Sequence, residues 1–161
     1  MSKLFIREAR EEDVQLILDF IKELAVYEKM EADVIATPAS ILQQVFMEKN
    51  AHCLLAFEEE IPIGFALYFY NFSTFLGKKG LYLEDLFVRP EHRAKGYGKA
   101  LLMQLVQIAT QENCGRMEWS VLNWNTPAID FYQSLGAIPM DEWKVYRLTE
   151  SAMGKLVGKI S

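Results

Sequence analysis

A run of three strand patterns in the middle of the chain constrains the fold most strongly, at 52–57, 63–72 and 81–88. Apolar residues at helical spacing precede this run, and beyond it strand and helix patterns alternate. The predicted order is β-α-α-β-β-β-α-β-α-β. Such an order is typical of an α/β protein with a mixed sheet whose faces are covered by helices. We expect residues 1–161 to form a single domain.

Two of the predicted helices outside this run begin at common helix-start signals. Thr37-Pro38 and Thr126-Pro127 each place a capping hydroxyl before a proline, and Gly136 follows the end of the second helix. The predicted elements are a strand at 3–8, helices at 11–30 and 38–47, a helix from the glycines at 96–98 to about Glu112, a strand at 116–122, a helix at 126–135 and a strand at 144–148. The unit at 81–122 should form a right-handed crossover.

Composition and charge exclude several classes of protein. The formal net charge of −5 argues against a general nucleic-acid binder. The two cysteines and two histidines, Cys53, Cys114, His52 and His92, do not form a metal-ligand pattern. So few cysteines fit a reducing compartment, and we see no signal peptide or membrane span. We expect a cytoplasmic protein that uses no metal and binds neither nucleic acid nor membranes.

The segment "HRAKGYGKALL" at 92–102 places Gly96 and Gly98 directly before a helical pattern. Its spacing is not that of a Walker loop, and Leu101 occupies the third glycine position of a dinucleotide fingerprint. The first turn of a helix leaves N–H groups without internal acceptors, and glycine lets an anion approach them. The basic residues nearby, opposed in this stretch only by Glu91, are Arg89, Arg93, Lys95 and Lys99. We therefore prefer a phosphate or pyrophosphate site to a bare turn.

Two motifs give this loop a family resemblance. Arg93, Gly96 and Gly98 match the signature [QR]-x-x-G-x-[GA], and Asn125 with Tyr132 match a later one. With this spacing the chain resembles the GNAT family of acetyl-CoA-dependent N-acetyltransferases. The segments "IKELAVYEKME", "YLEDLF" and "WNTPAIDFYQSLGA" are similar to its diamine (spermidine/spermine) acetyltransferase branch. "STFLGK" and "KLVGK" are closer to the bacterial and thialysine-acetylating members of that branch.

The resemblance implies the GNAT fold, a mostly antiparallel sheet in which the strands at 81–88 and 116–122 splay apart. It implies acetyl-CoA as the acetyl donor, with its pyrophosphate on the backbone of 94–99 and its pantetheine arm along 86–88. The cofactor-binding residues that it implies are Leu86, Phe87, Val88, Arg93, Ala94, Lys95, Gly96, Tyr97, Gly98, Lys99, Asn125, Ala128 and Tyr132.

Acid–base chemistry requires a group that accepts a proton from the amine. A primary alkylamine, with a pKa of about 10, must be deprotonated before it can attack a thioester. Glu84 and Asp85 lie beside the expected acetyl position, and either can accept this proton through water. Because neighbouring side chains of a strand point to opposite faces, the two acids should have different roles. We choose Glu84 for the active-site side, although the apolar neighbours Leu83 and Leu86 do not settle the face.

Tyr132 occupies the family's proton-donor position. A phenol with a pKa of about 10 can protonate a thiolate whose parent thiol has a pKa of about 8.5. Ala128, Tyr132 and Leu135 also share one helical face, which is typical of a core tyrosine. The resemblance favours the acid, so the expected catalytic residues are Tyr132 and Glu84.

The resemblance also implies a primary amine of a small cationic molecule as substrate, a diamine, polyamine or thialysine-like amino acid. Ser73 and Phe75 stand where polyamine-specific members carry an acid and a tryptophan, which weakens the case for spermine. The expected substrate-binding residues are Tyr27, Glu28, Glu84, Asp85, Glu118, Trp119 and Ser120.

Two other functions remain open at this point. One is an N-acetyltransferase that acts on a protein or peptide, and the other is a non-catalytic regulatory module that binds acetyl-CoA. Retention of both Glu84 and Tyr132 argues against the module, because binding alone needs neither. The resemblance further implies a homodimer, for which the strand at 144–148 offers an edge.

Overall fold

The structure, a computed structural model, describes residues 3–160, and these divide into two compact units. The first unit ends at Ser120 and the second begins at Val121. The elements of the first are β1 Leu4–Glu8, α1 Val14–Tyr27, α2 Pro38–Ile41, β2 His52–Glu58, β3 Ile61–Ser73, β4 Lys78–Val88, α3 Tyr97–Gln111 and β5 Met117–Trp119, and those of the second are α4 Thr126–Ser134 and α5 Glu150–Ile160.

The described part of the first unit contains a five-stranded sheet with the strand order β1-β2-β3-β4-β5. The first four strands pair antiparallel, and β5 pairs parallel to β4 after the crossover through α3. The sequence prediction of a mixed, mostly antiparallel sheet flanked by helices is confirmed.

The core lies on both faces of this sheet. On one face, α1 packs into a cluster that contains Phe20, Leu55, Phe65 and Phe87. The alternate strand positions project to the other face, where α3 packs against β3 and β4. The residues Leu101, Leu102 and Leu105 of α3 are fully buried, as its helical pattern predicts.

Strands β4 and β5 part after a short common stretch. Their pairing covers Leu81–Leu83 against Met117–Trp119, whereas β4 continues to Val88. Strand β5 is therefore shorter than the predicted 116–122. Within the described part of the chain, no strand pairs with the β5 side of 84–88. The parted strands leave a length of β4 backbone open to a ligand.

A β-bulge interrupts β4 beside the expected chemistry. The register with β3 passes from Leu67 opposite Asp85 to Tyr68 opposite Leu83, so that Glu84 is the additional residue. A bulge bends its strand and redirects side chains, and strict alternation does not hold across it. Alternation along β4 therefore does not by itself determine which face of the sheet the Glu84 side chain lies on.

The second unit differs from the sequence prediction. Asn125 caps α4, and Gly136 follows it with φ of +91°, as expected. The strand predicted at 144–148 is wrong, because no residue after Trp119 in the described chain belongs to a strand. A strand pattern alone does not form a strand without a backbone partner. The expected homodimer then rests on the family resemblance without this edge.

Helix α5 occupies a region where no helix was predicted. The Thr149 hydroxyl accepts a hydrogen bond from the Ala152 N–H at 3.2 Å, which caps its start. Glu150 lies in its first turn and Lys159 in its last, which suits the helix dipole. This threonine is the sequence signal that was missed. Over residues 3–160, no helix is long and apolar enough to cross a membrane.

Candidate active site

The loop between β4 and α3 has a left-handed backbone at two residues. Ala94 has φ of +64° and Gly96 has φ of +82°. The Ala100 N–H donates to the Gly96 carbonyl at 3.0 Å, which is the first bond of α3. The N–H groups of the first helical turn therefore point out of the helix toward the loop. This arrangement fits the pyrophosphate of an acetyl-CoA donor, because it concentrates N–H donors at the positive end of a helix dipole.

Gly98 is not required by the packing of the protein itself. A Cβ built at Gly98 would lie 3.9 Å from Cγ2 of Val88, an ordinary van der Waals contact. The absent Cβ therefore leaves room at the surface of the first turn. That room lies where an anion would approach the backbone.

We expect Gly98→Ala to raise the stability of the protein slightly and to lower its affinity for coenzyme A. Alanine in a helical turn should raise the melting temperature slightly, since it stabilises a helix by up to about 1 kcal/mol relative to glycine. The same methyl group should weaken coenzyme A binding, roughly tenfold or more, because it occupies the approach to the N–H groups. Calorimetry and a melting curve on one preparation test both effects. Unchanged affinity in the folded variant would remove Gly98 from the binding surface.

Carboxylates distant in sequence pair with two of the four basic residues. Glu23 of α1 accepts from Arg89 at 3.0 and 2.9 Å, and Arg89 also donates to the Pro62 carbonyl. Lys95 Nζ lies 3.3 Å from both carboxylate oxygens of Glu58. The positive charge of this region is therefore smaller than the sequence indicates, and the exposed Lys99 lies in the first turn of α3.

The side chain of Arg93 is engaged in contacts within the protein. Its Nε–H donates to the Val88 carbonyl at 2.8 Å. Its guanidinium carbon lies 4.7 Å from the ring centre of Tyr27 and 5.4 Å from that of Phe87. Arg93 thus joins the end of α1 to the end of β4, and Tyr27, expected at the substrate, is part of this junction.

A cavity of about 170 Å³ lies between the end of α1 and β4. Among the described residues that line it, three are acidic and none is basic. The lining residues are Ile21, Leu24, Ala25, Glu28, Met30, Asp33, Val34 and Asp85. An apolar wall with several carboxylates suits an aliphatic chain that ends in an ammonium group.

The carboxyl groups at this cavity interact with one another. Burial raises the pKa of Asp85 to about 7, and repulsion from Glu84 and Glu28 adds to the effect. Burial also raises the pKa of Glu28, again with repulsion from Glu84. Near neutral pH, Asp85 is therefore present in both protonation states, which suits a group that exchanges protons with a substrate.

The structure distinguishes the two neighbouring acids. Asp85 lines the cavity and is half-buried, whereas Glu84 is exposed at the bulge. Asp85 is opposite Leu67 in the register, on the face covered by α1. The cavity therefore lies on the side of Asp85. Glu84 contributes its charge to the same group of carboxylates.

Three candidate substrate residues lie on β5 or directly after it, on the strand that parts from β4: Glu118, Trp119 and Ser120. Glu118 forms an ion pair with Arg116 at 3.3 Å. The Ser120 hydroxyl lies 2.8 Å from the hydroxyl of Tyr82 on β4, and Trp119 ends β5. Sequence reasoning missed Tyr82, although it precedes the "LED" segment.

The remaining candidates belong to α4 in the second unit. The Asn125 side chain accepts from the Ala128 N–H at 3.4 Å, so these two residues form the cap of this helix. Tyr132 is half-buried two turns further along, and its ring centre lies 5.6 Å from that of Phe131. The motif that joins Asn125 to Tyr132 is therefore a capped helix with the tyrosine on it.

A loop with N–H donors at a helix start, parted strands and a carboxylate cavity at β4 are features that suit an acyltransferase acting on amines. The family comparison agrees with this class, because the acetyltransferase (GNAT) family matches residues 14–137. The chain belongs to this family and is an acetyltransferase.

Curated relatives extend the similarity beyond the family motifs. The chain is 35% identical to a thialysine N-epsilon-acetyltransferase of Sus scrofa, over 99% of this chain and 100% of the relative. It is 32% identical to a human spermidine/spermine N(1)-acetyltransferase-like protein, over 95% of this chain and 24% of the relative. These similarities agree with the predicted branch of the family.

A solved structure has the same fold. An integron cassette protein from the mobile metagenome of V. cholerae superposes with a TM-score of 0.80 at 29% identity. The superposition covers 96% of this chain and 97% of that protein.

Proposed function

We propose that the protein transfers the acetyl group of acetyl-CoA to a primary amine of a small cationic substrate, directly, in a ternary complex. The cavity beside Asp85 carries this proposal. Its acidic and apolar lining suits an alkylammonium ion, and it adjoins the open backbone of β4 at 86–88. A donor and an amine can therefore lie on adjoining parts of one strand.

The backbone of two segments would hold the donor. The loop and first helical turn at 94–99 offer N–H groups to the pyrophosphate. Apart from the Val88 carbonyl, which accepts from Arg93, the edge of β4 at 86–88 can pair with an extended pantetheine arm. Acetyl-CoA, when bound, supplies the acetyl group as a thioester. Leu86 and Val88 lie on the strand face opposite Phe87, which is buried against α1.

Asp85 would accept the proton that the amine loses. The Asp85 carboxylate first holds the ammonium and takes one N–H proton from it, directly or through water, before the neutral amine attacks the thioester carbon. The nitrogen loses its second proton to water as the adduct collapses to the amide. Tyr132 would donate its phenolic proton to sulfur as the C–S bond breaks. This role of Tyr132 rests on the family resemblance. Glu84 is the alternative base, and a Glu84→Gln variant distinguishes it from Asp85.

The hairpin between β3 and β4 favours a short amine. Ser73 is only 5% exposed, and its hydroxyl accepts from the Leu76 N–H at 3.2 Å. It therefore serves the hairpin, and Phe75 at the tip is 99% exposed. Neither residue offers a carboxylate to a second or third ammonium group. This supports a substrate with one reacting amine and a short chain, such as thialysine or ornithine.

We therefore expect a higher kcat/KM for a short amino acid amine than for spermine. A thiol-release assay with acetyl-CoA measures this across thialysine, ornithine, putrescine, spermidine, spermine and lysine-containing peptides. A higher value for spermine would reverse the ranking. Preference for the peptides would favour a protein N-acetyltransferase. Coenzyme A binding without turnover of any amine would favour the regulatory module.

A further inference from the structure

The end of β2 brings a carboxylate against the cofactor loop. Nδ1 of His92 lies 2.7 Å from Oε2 of Glu58, and Lys95 lies 3.3 Å from both oxygens. The Tyr97 hydroxyl donates to the same carboxylate. We propose that Glu58 is a positioning residue that holds the loop in its coenzyme-binding conformation before the ligand arrives.

The three contacts flank two residues that have a left-handed backbone. Ala94 and Gly96 are both left-handed, and for alanine this conformation costs roughly 1 kcal/mol or more. His92 precedes them, Lys95 lies between them, and Tyr97 follows them as the first residue of α3. One carboxylate thus contacts three residues of a loop in which Ala94 has an unfavourable backbone conformation. Removing it should let the loop populate other conformations.

Because Glu58 is negatively charged, a purely electrostatic role and a positioning role predict opposite changes in coenzyme A affinity when it is removed. A carboxylate near a pyrophosphate repels it, and Glu58 also neutralises Lys95. If Glu58 acted only through its charge, its removal should strengthen coenzyme A binding. If it positions the loop, its removal should weaken binding, because apparent affinity falls with the population of the competent conformation. The hydrogen bond from His92 lowers the pKa of Glu58, so the carboxylate is ionised near neutral pH.

The experiment compares Glu58→Ala with Glu60→Ala, an exposed acid of the turn that follows β2. Calorimetry with coenzyme A should give a Kd that is roughly tenfold higher for Glu58→Ala, if the loop is competent a tenth of the time. The Kd of Glu60→Ala should be unchanged or slightly lower. Hydrogen exchange of the ligand-free proteins should show faster exchange at 92–98 in Glu58→Ala only.

Kinetics with two donors separates positioning from a general loss of structure. In Glu58→Ala, the KM for acetyl-CoA should rise roughly tenfold while kcat stays close to wild type. With acetyl-pantetheine, which lacks the pyrophosphate, both variants should match the wild type. A fall in rate with acetyl-pantetheine would overturn the proposal, as would tighter or unchanged coenzyme A binding by Glu58→Ala. The inference rests on the proposed function, and failure of the wild type to bind coenzyme A would refute that function instead.

Discussion

Replacing Tyr132 with phenylalanine should lower turnover by roughly 10²–10⁴-fold, the usual contribution of a positioned acid. The variant keeps the ring that packs beside Phe131 and loses the proton proposed for the leaving sulfur. The melting temperature and the Kd for acetyl-CoA should change little, because one hydroxyl contributes about one hydrogen bond, worth about 1 kcal/mol. Turnover, calorimetry and a melting curve on one preparation measure all three.

Tyr146→Phe is the matched control for this prediction. Tyr146 is in the same unit, is 92% exposed and carries no proposed role. A core role for Tyr132 would instead give near-normal turnover with a small loss of stability. A loss of only a few-fold would mean that water protonates the sulfur. Wild-type turnover in a stable Tyr132→Phe protein would remove this residue from the chemistry.

The sequence predicts those parts of the site that are built from residues close together in the chain. Gly96 and Gly98 at the start of α3, the end of β4 at Val88 and the cap at Asn125 all depend on local backbone geometry, and each lies where the sequence predicts. A motif of this kind specifies its own conformation, because its glycines and capping side chains act within a few residues.

Contacts between distant segments are the part that the sequence does not reveal. Glu23 and Glu58 oppose Arg89 and Lys95 across 66 and 37 residues, so a local count of charges overestimates the basic character of the loop. The bulge at Glu84 follows from pairing with β3 and has no local signal. For the same reason, the pattern at 144–148 is not sufficient for a strand.

Asp85→Asn should make the protein more stable and much less active. Loss of the carboxylate that holds and deprotonates the amine should lower kcat/KM by roughly 10²–10⁴-fold. Asparagine keeps the size of the side chain in the cavity wall. The wild-type pH profile should show a rise in rate as pH increases through about 7, where Asp85 becomes ionised. This rise should be absent from the residual activity of the variant.

The stability effect has the opposite sign and its own pH dependence. The pKa of Asp85 is about 7 in the folded protein and ordinarily 3.8, so the folded state binds more protons between these values. The free energy of unfolding therefore falls as pH rises through this window, and this loss is complete above pH 7. Asparagine is neutral throughout, so Asp85→Asn should gain roughly 1–3 kcal/mol above pH 7 and little near pH 4.

Glu84→Gln distinguishes a base from a neighbouring charge. Glu84 raises the pKa of Asp85 by repulsion, so its neutralisation should shift the rise in rate to lower pH without abolishing turnover. Urea unfolding at pH 5 and pH 8 and rate measurements over the same range test both variants. If Glu84→Gln loses activity and Asp85→Asn keeps it, the base is Glu84, and Asp85 serves only the cavity. If Asp85→Asn gains no stability at pH 8, the carboxylate is better solvated than its place between α1 and β4 indicates, and its role in proton transfer loses its physical basis.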